Sequence, residues 1–310
     1  MATQTDARRP GWRGIERRED PRLLTGRATF VDDETPPDTA ALALHRSQYA
    51  HADVIDVDPS DAASIPGVIG VVTWDDVEAS ASPGVIAVST GGLDVSVPGH
   101  PVLARERVRY QGQPVAAVLA TDRYTAATAA AAVDVAYEPR ASVTRPREAA
   151  DADAPTLFEG VPDNVVKTTT VGDRTATDSA LSSAPHTVSV DLVNNRVMPS
   201  AIEPRGALAR YDSGANRLHV TVASQDPHGH RADFAHSLGL PERRIHVEVP
   251  DVGGAFGHKG KHYPGDAIAA WSAIELDRPV KWIATRSGNA AAGTHGRDHQ
   301  TRATLGLSEA

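Results

Sequence analysis

Apolar and polar positions along the first 140 residues predict short strands and one clear helix. Residues 124–132 include six alanines, which favour a helix, and Asp122 is placed to cap its start. Residues 133–137 alternate apolar and polar side chains, which is typical of a strand, and Pro139 ends that unit. Short apolar runs bounded by turn residues predict further strands at 39–47, 68–73, 108–110 and 115–119.

The pattern after residue 186 repeats strand, loop and helix more clearly. Strands are predicted at 218–223, 245–249 and 280–284, and helices at 228–238 and 264–276. Gly239 stands where a glycine commonly ends a helix. Two loops, 224–227 and 251–263, each follow a strand and precede a helix, which is a common way to build a ligand site. Since both loops leave strands that can pair in one sheet, we expect them to meet at one edge.

Between these halves, residues 140–185 are rich in Asp, Ala, Thr and Pro and show little periodicity. We interpret 141–185 as an extended linker between a domain at 15–140 and an incomplete domain at 186–310. The length of 310 residues agrees with two domains, because one domain usually takes roughly 100–200 residues. The predicted fold class is therefore α+β.

Composition excludes several classes of function. The formal net charge is −9, so the basic surface of a nucleic-acid-binding protein is absent. The chain has no cysteine, so it forms no disulfide, has no thiol nucleophile and offers no thiolates to an iron–sulfur cluster. Residues 1–20 lack the apolar stretch of a secretory signal, and no run approaches the roughly 18 apolar residues of a membrane helix. We expect a soluble cytoplasmic protein without a membrane partner.

The loop 251–259 contains Gly253, Gly254 and Gly257, whose missing Cβ atoms allow a close approach to a ligand. Its spacing matches neither the phosphate-binding P-loop nor the dinucleotide-binding glycine pattern. From the residues alone, a cofactor-binding loop and a plain structural turn stay equally open. A nucleotide-binding protein stays a further alternative.

The other loop carries Gln225, whose side chain offers both an amide donor and a carbonyl acceptor. The residues that follow also fit an ordinary Asp-Pro turn, which the pattern alone favours. Among the histidines, His228 and His230 lie two apart on a helix and do not face one ligand, whereas His258 and His262 lie four apart. A zinc site at the second pair is disfavoured, because no third ligand is evident.

Nine segments together resemble the large, molybdopterin-binding subunit of the xanthine dehydrogenase/aldehyde oxidase family, which includes carbon monoxide dehydrogenase large chains. The resemblance extends over nearly the whole chain. The segments are RREDPRLLTG at 17–26, RSQYAHA at 46–52, IPGV at 65–68, HPVLA at 100–104, VRYQGQPVAAV at 108–118, EPRG at 203–206, SQDPH at 224–228, DVGGAFGHK at 251–259 and HGRD at 295–298.

The resemblance implies an α/β-hammerhead-like domain followed by a truncated molybdenum-cofactor-binding α+β domain. It implies that Gln225, Gly254, Ala255, Phe256 and Gly257 contact a molybdenum–molybdopterin cofactor. Gln225 would hydrogen-bond an oxo ligand of the metal, and Phe256 would lie under its active face, neither being a strong metal ligand. The cofactor supplies its own dithiolene sulfur, so the lack of cysteine is no objection.

The resemblance also implies partners. Electrons would leave through an iron–sulfur subunit and an FAD subunit, with no iron–sulfur cluster or FAD in this chain. The family's large subunit is more than twice as long, so a carboxyl-terminal half is expected elsewhere, and it would carry the catalytic glutamate base beyond Ala310. This chain alone would have no catalytic residue.

The resemblance further implies a small-molecule substrate, such as an aldehyde or an N-heterocycle, oxidised with water as the oxygen source. Gly260 stands where purine-oxidising relatives have a glutamate, which argues against a purine, and Ser287–Asn289 replaces a more acidic stretch. The alternative function is a non-catalytic truncated scaffold of the same fold.

Overall fold

The computed structural model describes residues 17–79, 84–86 and 98–308. Within these ranges the α-helices are α1 Asp20–Leu24, α2 Ser60–Ser64, α3 Trp74–Ala79, α4 Arg123–Ala131, α5 Pro146–Ala149, α6 Arg174–Ser183, α7 Pro227–Leu238, α8 Pro264–Glu275 and α9 Arg286–Ala292. Short 3₁₀ turns lie at Val31–Asp33, Glu242–Arg244 and His258–Gly260. The first 16 residues, to which the expectation about a secretory signal largely refers, lie outside the described part.

The strands of the described residues are β1 Ala40–Arg46, β2 Ala52–Asp58, β3 Val68–Val72, β4 Val85–Ile86, β5 His100–Pro101, β6 Arg107–Val108, β7 Pro114–Ala120, β8 Asp134–Pro139, β9 His186–Asn194, β10 Gly206–Asp212, β11 Arg217–Val222, β12 Ile245–Glu248, β13 Val280–Ile283 and β14 His299–Leu307. The α+β class predicted from the sequence is confirmed. None of the described helices is long and apolar enough to cross a membrane.

One seven-stranded sheet joins the two halves of the chain in the order β12-β11-β10-β13-β1-β7-β3. The junction is the parallel pair of β1 with β13, where Ala40 lies opposite Val280. A second sheet, β6-β2-β8, belongs to the first half only. The predicted bounds of two domains stay a prediction, but strands from both sides of the segment 141–185 form one continuous sheet.

The core lies on both faces of this sheet. Every residue of β7 is buried, which explains its continuous apolar run. Helix α4 packs on β1 and β7, and its start is capped by Asp122, whose carboxylate accepts from the backbone N–H groups of Tyr124 and Thr125. Helix α8 packs on β10 and β13 and buries most of its residues. The predicted cap at Asp122 is confirmed, as is the end of α7 at Gly239, which has a φ of 65°.

The segment 141–185 differs from the expectation of an extended chain. It contains α5 and α6, and the side chain of Asp173 caps α6 by accepting from the backbone N–H of Ala176. The segment is therefore not extended at these two helices. Helix α6 reads RTATDSALSS, with several Ser and Thr residues of modest helix propensity and no buried residue, so the apolar pattern gave no signal for it.

Strands β9 and β14 pair into a two-stranded antiparallel ribbon that joins neither larger sheet. Nearly all of its residues are exposed. Opposite positions share a face, so one face carries Val188, Val190, Leu192, Leu305 and Leu307, all of them exposed. We call this the apolar ribbon face. Helices α5 and α6 contact β14 of this ribbon.

Candidate functional site

The two predicted loops meet at one end of the large sheet. Strands β11 and β12 are parallel neighbours, so the loops after them leave the same edge. The backbone N–H of Gln225 donates to the carbonyl of Lys259 at 3.0 Å, which joins the two loops directly. The side chain of Gln225 is exposed at this edge. A Cβ atom placed on Gly260 would lie 3.9 Å from its Oε1 atom.

The glycine-rich loop has an unusual backbone. Gly254 and Gly257 have φ values of 94° and 87°, and Phe256 between them has a φ of 55°. A residue with a Cβ atom rarely occupies this left-handed region, and an aromatic residue there is uncommon. Phe256 is also 74% exposed, although it is the largest apolar side chain of the loop. Strain combined with exposure is typical of residues that are held for function.

A buried ion pair holds both ends of this loop. The Nζ atom of Lys259 donates to Oε2 of Glu203 at 2.6 Å, and the same oxygen accepts from the backbone N–H of Gly253 at 2.7 Å. Lys259 is 2% exposed, and burial lowers its pKa although the hydrogen bond to Glu203 opposes that shift. Residue 253 must be glycine, because a Cβ atom would lie 2.5 Å from that of Glu203.

The segment 17–26 fixes the start of the same loop. The guanidinium of Arg22 donates to both carboxylate oxygens of Asp251, and the backbone N–H of Thr29 donates to Oδ2 at 2.9 Å. The hydrogen bonds from Arg22 lower the pKa of Asp251 to about 2. Two segments more than 220 residues apart in sequence thus form one structural unit, which spacing alone did not reveal.

Beneath the loops lies a buried arginine. Arg205 is 3% exposed, and its guanidinium stacks 3.8 Å from the ring centre of Tyr263. Its Nε atom donates to Oδ1 of Asn289 at 3.0 Å, and no described residue accepts from its Nη2 atom. Burial lowers its pKa. Asn289 lies in the segment that departs from the family pattern, and it provides the acceptor for Arg205.

The histidines group differently from the sequence interpretation. In the described part of the chain, His262 lies with His230 and Asp266, not with His258. His258 lies under the segment that contains Gly293, and burial lowers its pKa to about 4. The spacing of four residues therefore does not place His258 in the group that contains His262. The third side chain comes from the first turn of α8.

The structure brings all five predicted site residues to one edge. Gln225 lies on the first loop, and Gly254, Ala255, Phe256 and Gly257 lie on the second. The sequence interpretation missed Glu203, Lys259, Arg205 and Asn289, because their contacts join distant segments. The residues fit an organic cofactor bound at an open edge, because the amide of Gln225 and the ring of Phe256 are both exposed. There is also open space at Gly257, where a Cβ atom would meet nothing within 4 Å.

Two family models match nearly the whole chain. Residues 25–141 match the model described as aldehyde oxidase and xanthine dehydrogenase, a/b hammerhead domain, and residues 157–310 match that of the molybdopterin cofactor-binding domain. The second match begins inside the segment that the sequence interpretation treats as a linker.

Individual proteins agree with the family models. The chain is 34% identical over 294 residues to the carbon monoxide dehydrogenase large chain of Hydrogenophaga pseudoflava, a match covering 91% of this chain and 36% of the relative. It is 33% identical to subunit gamma of the 6-hydroxypseudooxynicotine dehydrogenase complex of Paenarthrobacter nicotinovorans, covering 97% and 38%. The fold matches the crystal structure of quinoline 2-oxidoreductase from Pseudomonas putida 86 with a TM-score of 0.86 at 33% identity, covering 95% and 37%. The chain thus spans little more than a third of the length of these relatives.

Proposed function

Because the chain belongs to the xanthine dehydrogenase/aldehyde oxidase family, we propose that it holds one side of a molybdenum–molybdopterin site in a hydroxylase. The observation that carries this proposal is the meeting of the Gln225 loop with the glycine-rich loop at one sheet edge. The match of residues 157–310 to a molybdopterin cofactor-binding domain supports it. When bound, this cofactor would supply the two-electron oxidation of a carbon centre, with water as the oxygen source.

The residues of this chain would bind and orient the cofactor. The exposed amide of Gln225 would hold the cofactor through a hydrogen bond, and the backbone of Gln225 is fixed by its bond to Lys259. The exposed ring of Phe256 forms an apolar floor, held in place by the left-handed backbone on either side. Gly254, Ala255 and Gly257 allow the cofactor to approach the backbone closely. Glu203 and Lys259 hold the loop from below.

We propose an aldehyde, an N-heterocycle or a similar carbon as the substrate. Gly260 supports a substrate other than a purine, because it puts no side chain beside Gln225, where purine-oxidising relatives are expected to have a carboxylate. The name of quinoline 2-oxidoreductase, one of the similar proteins, refers to an N-heterocycle and agrees with this class.

The remaining parts of the proposed enzyme would lie on other polypeptide segments. We place the general base, a glutamate, in a portion outside this sequence. The absence of cysteine supports iron–sulfur clusters on another subunit, and an FAD subunit would take up the electrons. Names such as "large chain" and "complex subunit gamma" among the relatives agree with such an assembly.

The apolar ribbon face supports the proposal that further protein packs here. It presents Val188, Val190 and Leu192 beside Leu305 and Leu307, which leaves a row of apolar side chains open on a marginal ribbon. We propose that a further portion of the large subunit covers this face. A non-catalytic scaffold of the same fold is the alternative, and the same face would then bind a different partner.

The test compares the isolated chain with an assembly that includes this further portion and the partner subunits. The isolated chain should oxidise none of a panel of aldehydes and N-heterocycles with an artificial electron acceptor, because the proposed general base lies outside it. In the assembly, Gln225→Ala should lower turnover about 10- to 100-fold, the usual effect of losing an outer-shell contact. Gln48→Ala, at another exposed glutamine, is the matched control. Turnover by the isolated chain, or an assembly indifferent to Gln225→Ala, would contradict the proposal.

A further inference from the structure

Three buried side chains converge beneath the two loops. His230 lies in the first half of α7, His262 lies just before α8, and Asp266 lies in the first turn of α8. They are 2%, 6% and 2% exposed, and one nitrogen or oxygen atom of each lies within 4.8 Å of the other two. No step of the proposed hydroxylase reaction uses them.

The hydrogen bonds of His230 involve its Nδ1 atom. Its Nδ1 atom lies 2.8 Å from Oγ of Ser224 and 3.1 Å from the carbonyl of Asp226. A proton on Nδ1, donated to the carbonyl of Asp226, would leave the electron pair of Nε2 for a metal. Histidines that bind metals are commonly held in this way, with the other nitrogen donating to a carbonyl or carboxylate.

The other two side chains leave atoms that have no partner among the described residues. His262 contacts Oγ of Ser237 through Nε2 at 3.2 Å, and its buried Nδ1 atom is left over. Asp266 accepts from the backbone N–H of Tyr263 through Oδ2 at 3.0 Å, and its buried Oδ1 atom is left over. Buried polar atoms are nearly always satisfied, so two leftover atoms in one cluster call for a shared partner.

We propose that His230, His262 and Asp266 bind a divalent cation of the zinc type. Two imidazole nitrogens and one carboxylate oxygen are a ligand set that zinc and similar first-row ions accept, with water completing a four-coordinate shell. Calcium and magnesium prefer all-oxygen sites, so they fit poorly. The cation would satisfy both leftover atoms and the electron pair of Nε2 at once.

The electrostatics of the empty cluster agree with this assignment. Burial raises the pKa of Asp266 to about 6 and lowers that of His262 to about 3. Both directions are those that desolvation produces in a buried carboxylate and a buried imidazole. A bound cation would keep the carboxylate ionised and both imidazoles neutral.

The position of the site gives it a structural consequence. The groups that hold His230 are Ser224 and Asp226, which flank Gln225, and His262 follows the glycine-rich loop. A cation here would tie both cofactor loops together from below. The inference does not rest on the proposed hydroxylase function, because metal binding requires neither molybdenum nor a partner subunit.

The test is a titration of the full 310-residue chain, stripped with a chelator, with Co²⁺ and then Zn²⁺. We expect one Co²⁺ per chain with the visible absorption of a tetrahedral nitrogen–oxygen site, displacement by Zn²⁺, and an increase in the unfolding temperature. Asp266→Asn keeps an acceptor for Tyr263 and should weaken binding more than about 100-fold, beyond the effect of an outer-shell change. His262→Gln should do the same.

His228→Gln is the matched control, since His228 is an exposed histidine two residues from His230. It should bind Co²⁺ like the unaltered chain. Equal weakening in His228→Gln and Asp266→Asn would indicate an adventitious surface site and overturn the proposal. If the variants fail to fold, the titration of the unaltered chain still tests the proposal. An unaltered chain that unfolds cooperatively but takes up no Co²⁺ would show that the cluster binds no metal.

Discussion

Replacing Phe256 with glycine should make the isolated chain more stable, although it removes a proposed cofactor contact. Phe256 has a φ of 55°, and a residue with a Cβ atom in the left-handed region costs roughly 1–2 kcal/mol. Glycine adopts the same backbone without this cost. The change therefore relieves strain that the folded chain currently holds at the candidate site.

The magnitude follows from the exposure of the ring. Phe256 is 74% exposed, so its removal forfeits little of the hydrophobic stabilisation that a buried phenylalanine provides. Glycine loses more conformational entropy on folding, which costs about 0.5–1 kcal/mol. The difference leaves a net gain of about 0–1.5 kcal/mol in the free energy of unfolding. A buried phenylalanine behaves oppositely: Phe234→Ala, at 0% exposure, should cost about 3–5 kcal/mol.

The assay is urea unfolding of the isolated chain, followed by the fluorescence of buried Trp282. Phe256→Ala is the decisive control, because alanine keeps the strain and loses the ring, so it should show no gain. In a cofactor-loaded assembly, Phe256→Gly should lower cofactor retention. The reasoning is refuted if Phe256→Gly destabilises the isolated chain, or if Phe256→Ala stabilises it equally.

Three further outcomes are expected. Glu203→Gln leaves the ammonium of Lys259 buried without its carboxylate and should cost about 3–5 kcal/mol by urea unfolding, whereas the additional change Lys259→Met should recover part of that loss. Arg22 holds the folded pKa of Asp251 at about 2, below its unfolded value, so this stabilisation is present above about pH 4 and is lost as the pH falls toward 2. Asp251→Asn should remove that part of the acid dependence. Val190→Ser on the apolar ribbon face should reduce self-association of the isolated chain, measured by sedimentation. Unchanged self-association would show that the copies do not associate through this face.

The elements with a continuous apolar pattern could be predicted from the sequence. Strand β7 is buried throughout, and the predicted run 115–119 falls inside its bounds. The helix after Asp122 also agrees, because a capping carboxylate and a run of alanines act within one turn of each other. Local signals of this kind depend only on neighbouring residues, so a single sequence contains them.

Features that depend on distant pairing could not be predicted in this way. Strands β9 and β14 form a ribbon whose partners are up to 121 residues apart, from His186 to Leu307, and their pairing was not expected. The Glu203–Lys259 pair spans 56 residues, and each residue alone looks like an ordinary surface charge. The candidate site residues themselves came from motif resemblance, because periodicity left their loops open between turn and cofactor site.

The two kinds of site residue have complementary physical roles, although both kinds lie within the segments that carry the family resemblance. Gln225 and Phe256 are displayed in open, partly strained positions, where their residue types matter for a ligand and contribute little to the fold. Arg205 and Lys259 are buried charges, which cost free energy to desolvate unless they are paired. Such costs are tolerated where they fix a geometry, and here they fix the two loops that carry the displayed residues. The buried charges are therefore best understood as positioning residues of the same site, although neither is exposed to a ligand.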